Sequence, residues 1–144
     1  MTLKSLLDLN VLISLTDSEH RHHQKARNWF ASSPKQDWAI CPFTEAGFLR
    51  VTTNPAFAPA RTLEQAIAIL QALQRYPGYR YCPVDKNWVA LTAPFASRIH
   101  GHQQVTDAYL LGIAIEEKRV LVTFDKKFQY LAGAKFSRNV RLLE

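Results

Sequence analysis

Short apolar runs alternate along this chain with longer stretches whose apolar residues recur every three or four positions. Residues 3–8 form a brief, largely apolar run ending in Asp8, as expected of a strand buried on both faces. Residues 10–15 begin a helical turn. Residues 20–32 carry Ala26, Trp29 and Phe30 at helical spacing, and Ser32-Ser33-Pro34 ends that helix. Trp38-Ala39-Ile40-Cys41 is a second short strand. Pro42 and Thr44 suit a helix start, because proline tolerates the first turn and a threonine hydroxyl can cap free amides. The helix runs through Ala46, Phe48, Leu49 and Val51 and stops near Asn54-Pro55.

Residues 56–61 read as a proline-bearing loop. Over 62–75 the residues Leu63, Ala66, Ile67, Leu70 and Leu73 make a one-sided helical stripe. Tyr76-Pro77-Gly78 is a turn, and 79–84 a third strand. Residues 88–99 predict a helix disturbed at Pro94, which Gly101 breaks. The next helix, 104–117, is apolar on nearly every side and is therefore expected to be central. Residues 119–124 predict a fourth strand, 126–131 a short helix and 140–143 a final strand. This alternation predicts an α/β fold, with a mainly parallel sheet of about five strands covered on both faces. No repeat, low-complexity segment or linker interrupts it, so residues 1–144 are expected to form one domain.

Composition narrows the class of partner. Apolar content of 47% with 21% charged residues belongs to a folded chain, not a disordered one. Eighteen basic residues against twelve acidic ones leave +6, with a pI near 9.6, and favour a polyanionic partner. Cys41 and Cys82 lie far apart and outside any CxxC pair. Spacing alone leaves a disulfide open, but two buried, reduced thiols are the expectation. No segment has the apolar length of a membrane span, and the first residues lack the long apolar stretch of a signal peptide. The expected location is the cytoplasm.

Against that background four acids stand out. Asp8 ends the first apolar run and Asp125 ends Val120-Leu121-Val122-Thr123-Phe124, while Glu45 and Asp107 each open an apolar helical pattern. Each alone is explained by helix capping or by the helix dipole, worth about 0.3–1 kcal/mol. In an open α/β sheet, however, all four fall at the edge where ligands bind. Carboxylates gathered there repel one another unless a cation neutralises them. Asn10 lies two residues after Asp8, Thr106 precedes Asp107, and Thr123 lies two before Asp125, on its side of the strand. Such hydroxyls and amides can orient carboxylates or metal-bound waters. Hard oxygen donors without histidine or cysteine suit Mg²⁺ or Mn²⁺ better than Zn²⁺.

These residues also carry a resemblance. Leu6-Leu7-Asp8-Leu9-Asn10-Val11-Leu12, Phe43-Thr44-Glu45-Ala46, Val105-Thr106-Asp107-Ala108 and Leu121-Val122-Thr123-Phe124-Asp125 look like the four motifs of PIN-domain ribonucleases. Pro42-Phe43-Thr44-Glu45 with Gly47-Phe48-Leu49-Arg50-Val51, and the stretch from Gly101 to Leu110, resemble a subgroup of the VapC toxins of toxin–antitoxin pairs. The likeness spans essentially the whole chain. It implies a three-layer α/β/α PIN-like fold and a metal-dependent endoribonuclease acting on structured RNA, either tRNA or ribosomal RNA. Asp8, Glu45, Asp107 and Asp125 would be the catalytic, metal-holding acids for Mg²⁺ or Mn²⁺. Asn10, Thr106 and Thr123 would position them. A VapB-type antitoxin and a second copy of the chain would be partners.

Other features admit plainer readings. His20, Arg21, His22 and His23 are expected to be a solvated helix start, since no carboxylate or cysteine completes a zinc site in sequence. His100 and His102 either touch RNA phosphate or serve their loop. Trp29, Trp38 and Trp88 are expected in the core or at a partner contact. Arg50, Arg61, Arg98, Lys126 and Lys127 are the basic residues nearest the acids in sequence. A phosphatase or dehalogenase of similar topology would want an acid where Asn10 stands, and a receiver domain would want an acidic pair. The remaining alternatives are another divalent-metal phosphohydrolase and a non-catalytic RNA-binding domain.

Overall fold

The computed structural model of the chain describes residues 4–32 and 37–144. The expected strand start at Leu3 and helix end at Ser33-Pro34 lie outside them. Strand β1 (Lys4–Leu7) is followed by helices α1 (Leu9–Thr16) and α2 (His23–Ala31), then β2 (Asp37–Ile40). Helices α3 (Pro42–Thr52) and α4 (Leu63–Gln74) precede β3 (Tyr79–Tyr81). After α5 (Trp88–Thr92) and two 3-10 turns come α6 (Val105–Glu116), β4 (Val120–Thr123), α7 (Lys127–Ala132) and β5 (Val140–Leu142). The five strands run in the order β3-β2-β1-β4-β5, and every neighbouring pair is parallel.

Strand alternation sorts the core into two layers. Leu6, Ala39 and Leu121 face a cluster with Leu91, Phe95, Leu111 and Phe128 from α5 to α7. Their chain neighbours Leu7, Ile40 and Val122 face the opposite cluster, with Val11, Leu12, Trp29, Phe48 and Leu70 from α1 to α4. Helix α6 lies so close to α5 that a Cβ on Gly112 would stand 2.7 Å from the Leu91 carbonyl oxygen. Its central place matches its all-round apolar pattern. Cys41 and Cys82 are buried free thiols, and burial, with Cys41 nearby, pushes the Cys82 thiol up to about 11.

Several expectations need correction. Pairing in β3 ends at Tyr81, short of residue 84, as suits an edge strand with one neighbour. The helix expected over 88–99 is α-helical only to Thr92; beyond it Pro94 and the non-helical Phe95 (φ −133°) leave a 3-10 segment. Thr44 caps nothing: it is buried with its hydroxyl 3.5 Å from the Cys41 sulfur. The stripe on α4 buries only Ala66 and Leu70, leaving Leu63 and Ile67 exposed. Thr62 and Gln65 fasten that helix by a reciprocal capping box instead.

The histidine cluster is not a solvated helix start either. Helix α2 begins at His23, one turn later than expected. The His23 ring lies 2.7 Å from the Ser14 carbonyl oxygen, and His22 stacks on Phe124 with centroids 4.5 Å apart. Trp29 and Trp38 are core residues, as expected, while Trp88 is half-buried and donates its indole N–H to Val105 O at 3.0 Å.

Candidate active site

Chain connections leave β1 toward β2 on one side and reach β4 on the other. The crevice at the carboxyl ends of β1 and β4 is thus the topological switch point of the sheet, where ligands bind in open α/β folds. Asp8 and Asp125 emerge there.

Asp8 continues the ladder one residue past β1 by donating its N–H to Val122 O at 3.0 Å. It then turns into α1 as an extended N-cap, and Oδ1 accepts the Leu9 N–H at 2.7 Å. Its other oxygen, Oδ2, accepts the Thr123 hydroxyl at 2.7 Å. The Thr123 oxygen in turn accepts the Asp125 N–H at 2.9 Å, and Asp125 Oδ1 accepts the Lys127 N–H at 2.9 Å. One fully buried hydroxyl therefore ties the ends of both strands together. Asn10 adds a longer link, accepting Phe124 N–H at 3.4 Å. Asp107 lies in the first turn of α6, with Thr106 exposed beside it.

The local field is strongly negative. Burial pushes the Asp8 carboxyl up to about 6 against the pull of its Thr123 and Leu9 hydrogen bonds, and the charges of Asp107 and Asp125 push it further. Burial and the Asp125 charge also raise Asp107, which Lys127 partly offsets. Glu45 keeps other company. Its Oε2 accepts from the Gln74 side chain at 3.1 Å, burial raises its pKa, and burial followed by the Glu45 charge raises Tyr79 on β3. The structure thus sets Asp8, Asp107 and Asp125 in one another's field, with Glu45 oriented toward α4 and β3.

Among the described residues, no three acids, histidines or cysteines stand close enough to hold an ion as their side chains lie. The donor chemistry nevertheless fits a hard divalent cation. Asp8 is ionised only against burial and two like charges, and among the described residues no hydrogen bond relieves Asp107. A cation at this edge would reverse each of those penalties, and carboxylate oxygens are what Mg²⁺ and Mn²⁺ select.

One neighbour of these acids escapes sequence reasoning. Gln74 meets Glu45 from 29 positions away with no local signal. Of the basic residues singled out, Arg61 serves the fold by donating to Thr16 O at 2.8 Å. Lys127 is the one whose charge bears on an acid of the site.

Comparison with known proteins gives a consistent result. The family model described as PIN domain matches residues 5–134. The chain is similar to Ribonuclease VapC38 of Mycobacterium tuberculosis, at 40% identity over 96% of this chain and 97% of that protein. Ribonuclease VapC44 of the same organism is 35% identical over 90% of this chain and 92% of its own length. Among solved structures, VapBC2 from Rickettsia felis bound to a promoter DNA fragment superposes with a TM-score of 0.70 at 14% identity, covering 99% of this chain and 100% of that one. A toxin–antitoxin complex from Klebsiella pneumoniae gives 0.65 at 19% identity, with 95% of both chains covered.

Proposed function

This chain belongs to the PIN-domain family, and from that premise we propose that it is an endoribonuclease toxin whose acids at the β1/β4 crevice cleave structured RNA. The observation that carries the reading is the shared Thr123 hydroxyl, which fixes Asp8 and the backbone of Asp125 in the mutual field that includes Asp107.

Asp8, Asp107 and Asp125 would hold Mg²⁺ or Mn²⁺, and Glu45 would join them on leaving Gln74. When bound, such an ion lowers the pKa of a water and stabilises charge on the phosphate oxygens. The chain's own contribution is positioning. Leu9 N–H and the Thr123 hydroxyl each occupy one oxygen of Asp8, which sets its plane and leaves the remaining lone pairs facing the crevice. Asn10 and Thr123 join the end of β4 to the start of α1, so the two strand-end acids cannot separate independently. Thr106 is assigned a positioning role from the first turn of α6. Lys127 counters the repulsion that an approaching phosphodiester meets from three carboxylates.

Chain and function are read as one domain over residues 1–144. Among the described residues no helix is long and apolar enough to cross a membrane. The cytoplasm, where tRNA and ribosomes are, is the proposed site of action. A VapB-type antitoxin is the proposed inhibitor, supported by neighbours described as VapBC and toxin–antitoxin complexes. The exposed Leu63 and Ile67 on α4 support a homodimer. The test is incubation of purified protein with total tRNA and ribosomal RNA, with and without Mg²⁺ or Mn²⁺, beside Asp8→Asn. Cleavage that needs the metal and the acid is expected. Binding without cleavage under every condition would leave an RNA-binding domain instead.

A further inference from the structure

Beside the acidic crevice lies a cleft of about 450 Å³ that the acids do not line. The segment from His100 to Gln104 forms one wall, with Lys127 and Tyr130 of α7 opposite. Lys127 joins the two regions, because its N–H is the group bonded to Asp125 Oδ1.

The cleft is built, not incidental. His100 Nε2 lies 2.9 Å from the Tyr130 hydroxyl, and the His100 N–H is held by the Gln104 side chain. Arg98 donates Nε–H to Tyr130 O at 2.7 Å while its guanidinium lies 4.9 Å from the tyrosine ring centroid. Gly133 makes room for this: a Cβ there would come 2.9 Å from Arg98 Nε. The tyrosine is thus anchored by its hydroxyl and by a cation on its ring, yet 52% of its surface is exposed. Structural packing does not need an ordered, open aromatic ring rimmed by Lys127 and two histidines. Among the described residues the wall carries no acidic side chain, although carboxylates stand next door.

We propose that this cleft seats the RNA nucleotide adjoining the bond to be cut, its base against Tyr130 and its phosphate against Lys127 and the His100–His102 wall. The proposal rests on the ribonuclease reading and adds where the substrate docks. Tyrosine offers a π-face that any base can use, so the cleft contributes affinity more than sequence choice. A cation beside the site's acids brings the polyanionic backbone to an edge that otherwise repels it.

The test uses the full chain. Binding of a fluorescein-labelled, mixed-sequence RNA of about 12 nucleotides is followed by anisotropy in EDTA for wild type, Tyr130→Ala, Tyr130→Phe and Lys127→Met. Cleavage of bulk tRNA in Mg²⁺ gives KM and kcat for the same proteins. Tyr130→Ala should weaken binding and raise KM by about 5- to 100-fold with kcat nearly unchanged, while Tyr130→Phe stays within about 3-fold of wild type. Lys127→Met should lower the salt dependence of binding by about one counterion. Wild-type cleavage with unchanged KM in Tyr130→Ala and Lys127→Met overturns the subsite and leaves the ribonuclease standing. Equal losses in Tyr130→Phe and Tyr130→Ala also overturn it, because the hydroxyl and not the ring face would then matter. Wild type that neither binds nor cuts RNA removes both. Weakened binding by Tyr130→Ala without any cleavage supports the cleft and removes the enzyme.

Discussion

Replacing Asp8 with asparagine should make the metal-free protein more stable near neutral pH while destroying its activity. The Asp8 carboxyl titrates at about 6 in the folded chain against 3.8 for an ordinary aspartate. A carboxyl with a raised folded pKa holds its proton more tightly when folded. Its favourable contribution is complete below 3.8 and is lost as pH climbs through about 6. Two units at 1.36 kcal/mol each put the penalty of the ionised form at about 3 kcal/mol. The amide removes that charge and keeps one oxygen for Leu9 N–H, but it must turn its NH₂ onto the Thr123 oxygen, reversing that bond. With about 1 kcal/mol lost in the reversal, a net gain of about 2 kcal/mol remains. For a chain of this size that raises Tm by about 6 °C.

The assay is thermal and urea unfolding of wild type and Asp8→Asn in EDTA at about pH 7.5 and about pH 4.5, repeated with Mg²⁺. The variant should lead at the higher pH, and the gap should narrow at the lower one as wild-type Asp8 takes up its proton. Mg²⁺ should raise the wild type, by favouring the ionised acids, more than the variant. A variant no more stable than wild type at pH 7.5 in EDTA, or a gap indifferent to pH, would refute the account of a strained acid.

Four further outcomes follow from the same geometry. Asp107→Asn should reduce RNA cleavage by about 100-fold or more, and Glu45→Gln, whose parent is tied to Gln74, should lose less; initial rates on tRNA decide the order. Thr123→Val should cost about 2–3 kcal/mol by leaving Asp8 Oδ2 and Asp125 N–H unpaired, and should move Asp8 still higher in an NMR titration. Gly112→Ala should cost about 1–3 kcal/mol by overpacking against Leu91 O, read by urea unfolding, with cleavage intact at a temperature where the variant stays folded. Arg119→Met should cost about 2–4 kcal/mol, since Arg119 Nη1 is 2.7 Å from Asp37 Oδ1 and 3.2 Å from Ser5 O; the stabilisation by Mg²⁺ should be unchanged.

The legible parts of this fold are those whose cause is local. Leu6-Leu7 and Leu121-Val122 announce buried strands because each residue must find an apolar layer on its own side, and the two core clusters are sorted by that alternation. Asp8 and Asp125 are visible because a carboxylate ending such a run can only emerge at the carboxyl edge of the sheet. What escapes is long-range. His22 looks solvated until Phe124, about 100 residues on, closes over it. Glu45 looks equivalent to the other acids until Gln74 takes one of its oxygens. The α4 stripe looks like core, yet Leu63 and Ile67 remain exposed because the helix turns its Ala66–Leu70 side, flanked by Ile69 and Leu73, to the core.

The two edges of the sheet show why a site built from like charges can persist. At the amino edge, buried Arg119 binds Asp37 and the Ser5 carbonyl, joining β1, β2 and β4 where a charge has its partner. At the carboxyl edge, β1 and β4 run out into Asp8 and Asp125, where burial, then the charges of Asp107 and Asp125, push the Asp8 carboxyl up. Among the described residues, the Thr123 hydroxyl, the Leu9 and Lys127 backbone amides and the Lys127 charge oppose that repulsion. The core between the edges, from Leu6 and Leu7 to Leu121 and Val122, supplies the stability that the carboxyl edge gives up. Substitutions at the amino edge should therefore shift stability alike at every metal concentration. Those at the carboxyl edge should shift it in step with protons and divalent ions, because there the electrostatic strain and the proposed affinity for a cation have a single cause.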